Sequence, residues 1–330
     1  MVRLAVIAFT ARGGALALKL AEAFGGRGFG LGKGRIPGLE EADSLSRWTA
    51  ERWQDSGGLI FVGACGIAVR AIAPYIKDKF TDPAVVTVDE KGQFVVPLLS
   101  GHVGGANELA LRVARVTGGQ AAISTATDVN GLFAVDVWAK ERQLAITDRV
   151  LAKEVSSALL AGEPVGFESD FGHPTPEGLS AEGKLGVWVT ARTGPGPFAK
   201  TLRLVPRCLT VGVGCRRGTS EAAITQAVEA ALAGWDRRAV SCVATIDLKA
   251  NEPGLLAFCE KAGWPLVTYT ARELAEEEGN FTPSPFVQSV TGVDNVCERA
   301  AVRAADHGIC VKPKYGAHGV TTAVAERSKL

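Results

Sequence analysis

Closely spaced cysteine pairs are missing from this chain of 330 residues: its seven cysteines are an odd number, and none forms a C-x-x-C motif. That argues against a disulfide framework and a structural zinc site, and leaves most of the thiols as small core residues. Long apolar runs are missing too. Gly58 to Ala64 is among the longest, far below the ~18 residues needed to cross a bilayer. The start, Met-Val-Arg-Leu-Ala-Val-Ile-Ala-Phe, has no cationic region ahead of a signal-like segment, so a cytoplasmic location is expected. Nor is there an excess of charge. At a net +1 no overall field draws the chain to nucleic acid or membrane, and an anionic ligand must be held by local groups.

What is present is enough apolar residue, 47%, to bury more than one core. Apolar runs at Arg3 to Phe9, Gly58 to Gly63 and Ala84 to Val88 read as buried strands, and Ala15 to Phe24, Asp43 to Gln54 and Gly105 to Thr117 as helices. Phe94 to Pro97 completes a hairpin through Asp89-Glu90-Lys91-Gly92. Glycine-rich Gly25 to Gly38 reads as a mobile loop. The pattern weakens over 139–206, with a helix at Val150 to Leu160, short runs at Val165 and Val187, and Gly194-Pro-Gly-Pro as its end or a hinge. Strand and helix alternate again from Cys208 to a last strand at Val320 to Ala325. The expected architecture is α/β: two parallel-sheet domains, 1–138 and 207–330, joined by a small mixed module, 139–206.

The densest chemistry lies between Leu98 and Asp128, which opens Leu-Leu-Ser-Gly-His-Val-Gly-Gly-Ala-Asn-Glu and closes Ser-Thr-Ala-Thr-Asp. Glycines allow close backbone approach to a ligand, and His102 and Glu108 are residue types that move protons near neutral pH. A lone histidine is more often structural, but Ser100, Gly101, Gly104 and Gly105 give this one an open surround, with Asn107 and Glu108 about one helical turn on. Glu108 equally suits the first turn of any helix, and Asp128 equally suits a turn. Cys65, in Gly63-Ala-Cys-Gly-Ile-Ala-Val-Arg, sits with the amides of Gly66 and Ile67 at a strand exit. A helix N-terminus there activates a thiol, though a small buried thiol fits the same place. The two exits are expected to share one crevice.

In the last domain, Gly212-Val-Gly-Cys-Arg-Arg-Gly-Thr-Ser is not a dinucleotide fingerprint, because its third glycine falls one place late. Arg216 and Arg217 instead suggest a cradle for carboxylates or phosphates. Lys249, Lys312 and Lys314 stand at expected strand ends. Each alone would be a surface lysine; together they place cations at three exits of one sheet, as a polyanionic small molecule would require.

These stretches resemble a known family. Gly63 to Pro74, Pro97 to Ala110 and Ser124 to Asp128 look like the N-terminal part of CbiG, and Val211 to Ser220, Thr245 to Leu255 and Val311 to Gly316 are similar to the C-terminal domain shared by CbiG and CobE. Ala317-His318 departs from the pattern. The resemblance implies a cytoplasmic cobalt-precorrin-5A hydrolase of anaerobic cobalamin biosynthesis, which opens the ring A δ-lactone and releases acetaldehyde to give cobalt-precorrin-5B. It implies no cofactor and no protein metal site, since cobalt arrives with the substrate, and it is compatible with a homodimer. In that reaction His102 would activate water, with Glu108 or Asp128 orienting it or shuttling a second proton. Amides near Gly66, Gly104 and Gly105 would hold the oxyanion, and Arg216, Arg217, Lys249, Lys312 and Lys314 would pair with substrate carboxylates. Two alternatives stand: a covalent route through Cys65 with His102 as its base, and a non-catalytic tetrapyrrole carrier.

Overall fold

A computed structural model describes residues 4–78, 81–317 and 319–328, so His318 lies outside the described residues. The chain divides into two compact units, Met1–Val137 and Trp138–Leu330. Among the described residues no helix is long and apolar enough to cross a membrane.

The first unit runs β1 (Leu4–Ala8), α1 (Ala11–Phe24), β2 (Arg27–Gly30), β3 (Glu40–Glu41), α2 (Leu45–Asp55), β4 (Gly58–Val62), α3 (Cys65–Ile72), β5 (Ala84–Val88), β6 (Phe94–Leu99), α4 (Ala106–Thr117), β7 (Gln120–Ala121) and α5 (Ala126–Val129), and α6 (Val135–Glu141) spans its end. Its strands form one sheet in the order β3-β2-β1-β4-β5-β6-β7. The apolar runs are continuous because both faces are covered. Val6, Ile60 and Val86 pack with residues of α1 and α4, whereas Ile7, Phe61 and Val85 pack with Trp48 of α2 and Ala68 of α3.

Strand direction decides where the chemistry goes. β1 to β5 are mutually parallel, but the hairpin turns β6 back, so Val85 faces Leu99 and Val88 faces Val95; β7 runs with β6. The sheet therefore has carboxyl-terminal strand ends at both edges.

The Gly25 to Gly38 segment is not a loop throughout. It contains β2, paired with β1. Its glycines serve close approach: a Cβ on Gly28 would lie 2.5 Å from Leu39 Cδ2, and one on Gly30 2.4 Å from the Gly34 carbonyl oxygen.

The second unit holds two sheets. In the first, β8 (Ala145–Ile146), β9 (Val165–Ser169), β10 (Leu185–Val189) and β11 (Lys200–Val205) are ordered β8-β11-β10-β9 against α7 (Arg149–Leu160), with only β8 antiparallel. Gly194 to Pro197 marks neither an end nor a hinge of this module: it lies in the connection between β10 and β11.

The other sheet is formed by β12 (Leu209–Cys215), β13 (Val240–Ile246), β14 (Leu266–Tyr269), β15 (Ile309–Ala317) and β16 (Val320–Glu326), in the order β14-β13-β12-β16-β15. Between its strands come α8 (Glu221–Ala231), α9 (Pro253–Ala262), α10 (Ala271–Ala275), α11 (Pro285–Thr291) and α12 (Cys297–Ala304). β12, β13 and β14 are parallel as the alternation implies, but β16 is antiparallel to both neighbours. β15 carries Pro313, which an edge strand tolerates because one side of its ladder is unpaired; its register shifts on either side of Lys312.

Candidate active site

The loop between β6 and α4 is built around Ser100, a buried non-glycine residue at φ 58. Its carbonyl accepts the Ala106 amide at 3.0 Å, the Gly101 carbonyl accepts Asn107 at 3.0 Å, and the His102 carbonyl accepts Gly105 at 2.9 Å. Two glycines make this turn sterically feasible: a Cβ on Gly104 would fall 2.2 Å from Ser100 Cβ, and one on Gly101 2.8 Å from Asn107 Oδ1. Gly105 supplies the left-handed residue, φ 85, from which α4 starts. The Ser100 hydroxyl oxygen is buried without a hydrogen-bond partner among the described residues.

His102 emerges from this loop between two carboxylates. Its Nε2 lies 2.8 Å from Asp128 Oδ2 and 3.2 Å from Thr127 Oγ1, and its Nδ1 lies 3.4 Å from Asp136 Oδ1. The Asn107 amide donates to Asp128 Oδ2 at 2.7 Å and to Thr125 Oγ1 at 2.9 Å. The β6-α4-β7 crossover thus brings the loop after β6 and the chain after β7 together at one edge. Hydrogen bonding to Asp136, opposed by burial and reinforced by Asp128, raises the ring's pKa from 6.5 to about 9. At neutral pH both nitrogens carry protons, which suits a ring flanked by acceptors.

Of the residues singled out from sequence, His102, Asn107 and Asp128 are joined directly, and Ser100, Gly104 and Gly105 shape their loop. Glu108 is exposed on α4, and among the described residues no hydrogen bond or ion pair links it to this group. The Gly105 amide is already donated to His102, leaving Gly104 as the amide candidate in this loop; Gly66, also expected to hold the oxyanion, follows β4 and is not part of it.

Cys65 and Gly66 lie elsewhere. They follow β4, and Cys65 Sγ is 3.1 Å from Thr87 Oγ1. β6 runs opposite to β4, so the Cys65 turn and the His102 loop sit at opposite edges of the sheet, separated by ~10 Å of strand between the levels of Val88 and Val85. The expected common crevice, and with it the Cys65–His102 pair, is not formed. A surface cleft of about 370 Å³ lined by Leu45, Ile67, Arg70 and Tyr75 includes none of the His102 group. We locate the site by its proton-transfer groups, because that cleft has no carboxylate or imidazole in its lining.

Asp136 and Thr127 were missed from sequence. Thr127 stood inside a quoted motif, whereas Asp136 lay near an expected domain end with no local pattern around it.

In the second unit, Arg216 and Arg217 follow β12, are exposed and form no ion pair among the described residues. The Arg216 amide donates to the Gly319 carbonyl, and Gly218 N–H donates to buried Glu252 at 2.6 Å. Lys249 also binds Glu252, at 3.0 Å, so its charge is compensated within the protein. Lys249 first, then Gly218, holds the Glu252 carboxyl below its ordinary value. Lys312 and Lys314 are within β15 rather than beyond it. Lys312 pairs with Val324, which faces Val211, so it lies ~13 Å of strand from the Cys215 level and not at an exit.

Three family models match consecutive stretches: cobalamin synthesis G N-terminal over 47–128, cobalamin biosynthesis central region over 133–206, and cobalamin synthesis G C-terminus over 209–325. The cobalt-precorrin-5A hydrolase of Salmonella typhimurium is 36% identical over 264 residues, covering 74% of this chain and 74% of that protein. That of Priestia megaterium is 35% identical over 294 residues, covering 81% and 78%. Protein CobE of a Sinorhizobium species is 32% identical over 126 residues, covering 37% of this chain and 82% of CobE.

Proposed function

The chain belongs to the cobalamin synthesis G (CbiG) family, and from that premise we propose that it catalyses hydrolysis of cobalt-precorrin-5A. The carrying observation is the identity of 36% and 35% to two such hydrolases over most of each chain. The His102 loop and Asp128 fall within the N-terminal family match, 47–128.

The reaction is opening of the ring A δ-lactone followed by loss of acetaldehyde, giving cobalt-precorrin-5B in the cytoplasm. Lactone opening needs a base for water and donors for the oxyanion; the fragmentation needs a proton taken from the liberated hydroxyl. The His102–Asp128 pair supplies the proton-handling groups, and the amides near Gly104 supply the donors. Arg216 and Arg217, which have no ion-pair partner among the described residues, bind substrate carboxylates, with Lys314 as a further cation. Lys249 and Lys312 contribute less, the one compensated by Glu252 and the other placed along an edge strand. Cobalt enters as part of the substrate.

Incubating the protein with cobalt-precorrin-5A and assaying acetaldehyde tests the assignment. Stoichiometric, repeated release is expected. Binding of the macrocycle with no acetaldehyde would identify a carrier instead.

A further inference from the structure

We propose that Asp136 is a positioning residue that keeps His102 doubly protonated, and that His102 in turn holds Asp128 as the general base, so the histidine is the bridge of an Asp136–His102–Asp128 chain and not the base. This rests on the hydrolase assignment above and reverses the role that a histidine in a glycine-rich loop would ordinarily be given.

The geometry leads there in three steps. Both ring nitrogens face carboxylate oxygens, Nδ1 at 3.4 Å from Asp136 and Nε2 at 2.8 Å from Asp128, so each already has a carboxylate partner. Asp128 and Asp136 are also the two charged groups that act on the ring, from α5 and α6 respectively. Next, Asp128 Oδ2 is held twice, by His102 and by the Asn107 amide, whereas Oδ1 makes no hydrogen bond among the described residues. Last, exposure grades along the chain: the side chains of Asp136, His102 and Asp128 are 14%, 16% and 36% exposed, which puts the outer carboxylate in reach of water.

Chemically, Asp128 Oδ1 takes a proton from water as the water oxygen bonds to the lactone carbonyl carbon and the carbonyl π pair moves onto oxygen. When the tetrahedral species collapses, the ring C–O bond breaks and the Asp128 proton passes to the departing alkoxide. The products are a carboxylic acid and a free hydroxyl, with the Asp128 carboxylate regenerated. His102 carries its charge throughout, fixing Asp128 and favouring the oxyanion.

Two readouts test this. The chain has four histidines, so 15N ring resonances can be assigned with His102→Gln. The wild-type His102 ring is expected to remain protonated through pH 8, and in Asp136→Asn to lose its proton about two pH units earlier, with Asp136→Glu restoring the wild-type titration. In the acetaldehyde assay, wild-type activity should fall as pH rises through about 9, where the ring loses its proton. Asp136→Asn should match the wild type within about twofold at pH 6 and lose on the order of tenfold at pH 8. Activity that climbs through pH 9, or an Asp136→Asn enzyme faster than wild type at pH 8, would make His102 the base and overturn the proposal; so would a ring already neutral at pH 7. If the wild type releases no acetaldehyde at any pH, the hydrolase assignment falls, and the ring titration still decides whether Asp136 holds the charge.

Discussion

His102 stores folding energy as well as chemistry. Its pKa is raised from 6.5 to about 9, so its stabilising contribution is complete below pH 6.5 and is lost as pH rises through about 9. The contribution is on the order of 2–3 kcal/mol, the ring being mostly buried. Urea unfolding of the wild type is expected to show stability falling between pH 6.5 and 9, and His102→Gln is expected to remove that slope; an unchanged slope in the variant would assign it to other groups. Asn107 acts beside it. Asn107→Leu removes the amide that holds Asp128 and Thr125, and should lower kcat by ~10²-fold while KM changes little, because the loss falls on positioning of the base. The importance of His102 was legible from its own sequence surroundings. Asp136 was not: its contact with His102 is created by the return of the chain after β7, and nothing adjacent to it in sequence records that.

At the scale of elements, the Ser100 to Gly105 loop is overdetermined by sterics. Gly104→Ala would drive a Cβ to 2.2 Å from that of Ser100, costing about 1–3 kcal/mol and displacing His102. Denaturation and the acetaldehyde assay on this variant should therefore fall together. Strands and helices were legible because burial on both faces of a sheet leaves continuous apolar runs, and capping residues such as Ser220 mark starts, its hydroxyl accepting the Ala223 amide. Gly25 to Gly38 was misread because glycine looks the same in sequence whether it permits motion or permits contact. β2 shows the second case. Pro313 lies inside β15, which tolerates it because that strand is at the edge of its sheet.

At the scale of the whole molecule, the sequence announced α/β units and the order of their elements but not which sheet edge each loop reaches. Cys65 and His102 both follow strands, and only the direction of those strands separates them. Cys65→Ala is accordingly expected to retain more than half of wild-type acetaldehyde release, and a loss beyond tenfold would restore the covalent route. The C-terminal cations divide by the same logic: residue type suggested five equivalent ligands, while topology leaves Arg216 and Arg217 exposed and without an ion pair among the described residues and ties Lys249 to Glu252. Arg216→Ala with Arg217→Ala should raise KM for the polycarboxylate substrate at least tenfold with a smaller change in kcat.

The turn from Asp89 to Gly92 touches none of the reacting groups. Its Asp89 carboxylate accepts the amides of Lys91 at 2.8 Å and Phe94 at 2.6 Å, which fixes how many residues separate the two strands. Strand side chains alternate faces, so this count sets the parity of β6 from Val95 to Pro97, from which the one-residue register shift at Val85/Val86 carries the strand on to Leu99. A single residue inserted or deleted in the turn would exchange inside for outside along the strand and deliver Ser100 to the wrong side. The turn is therefore an indexing device for a site at the far edge of the sheet, and its length is under a constraint that its exposed position does not advertise.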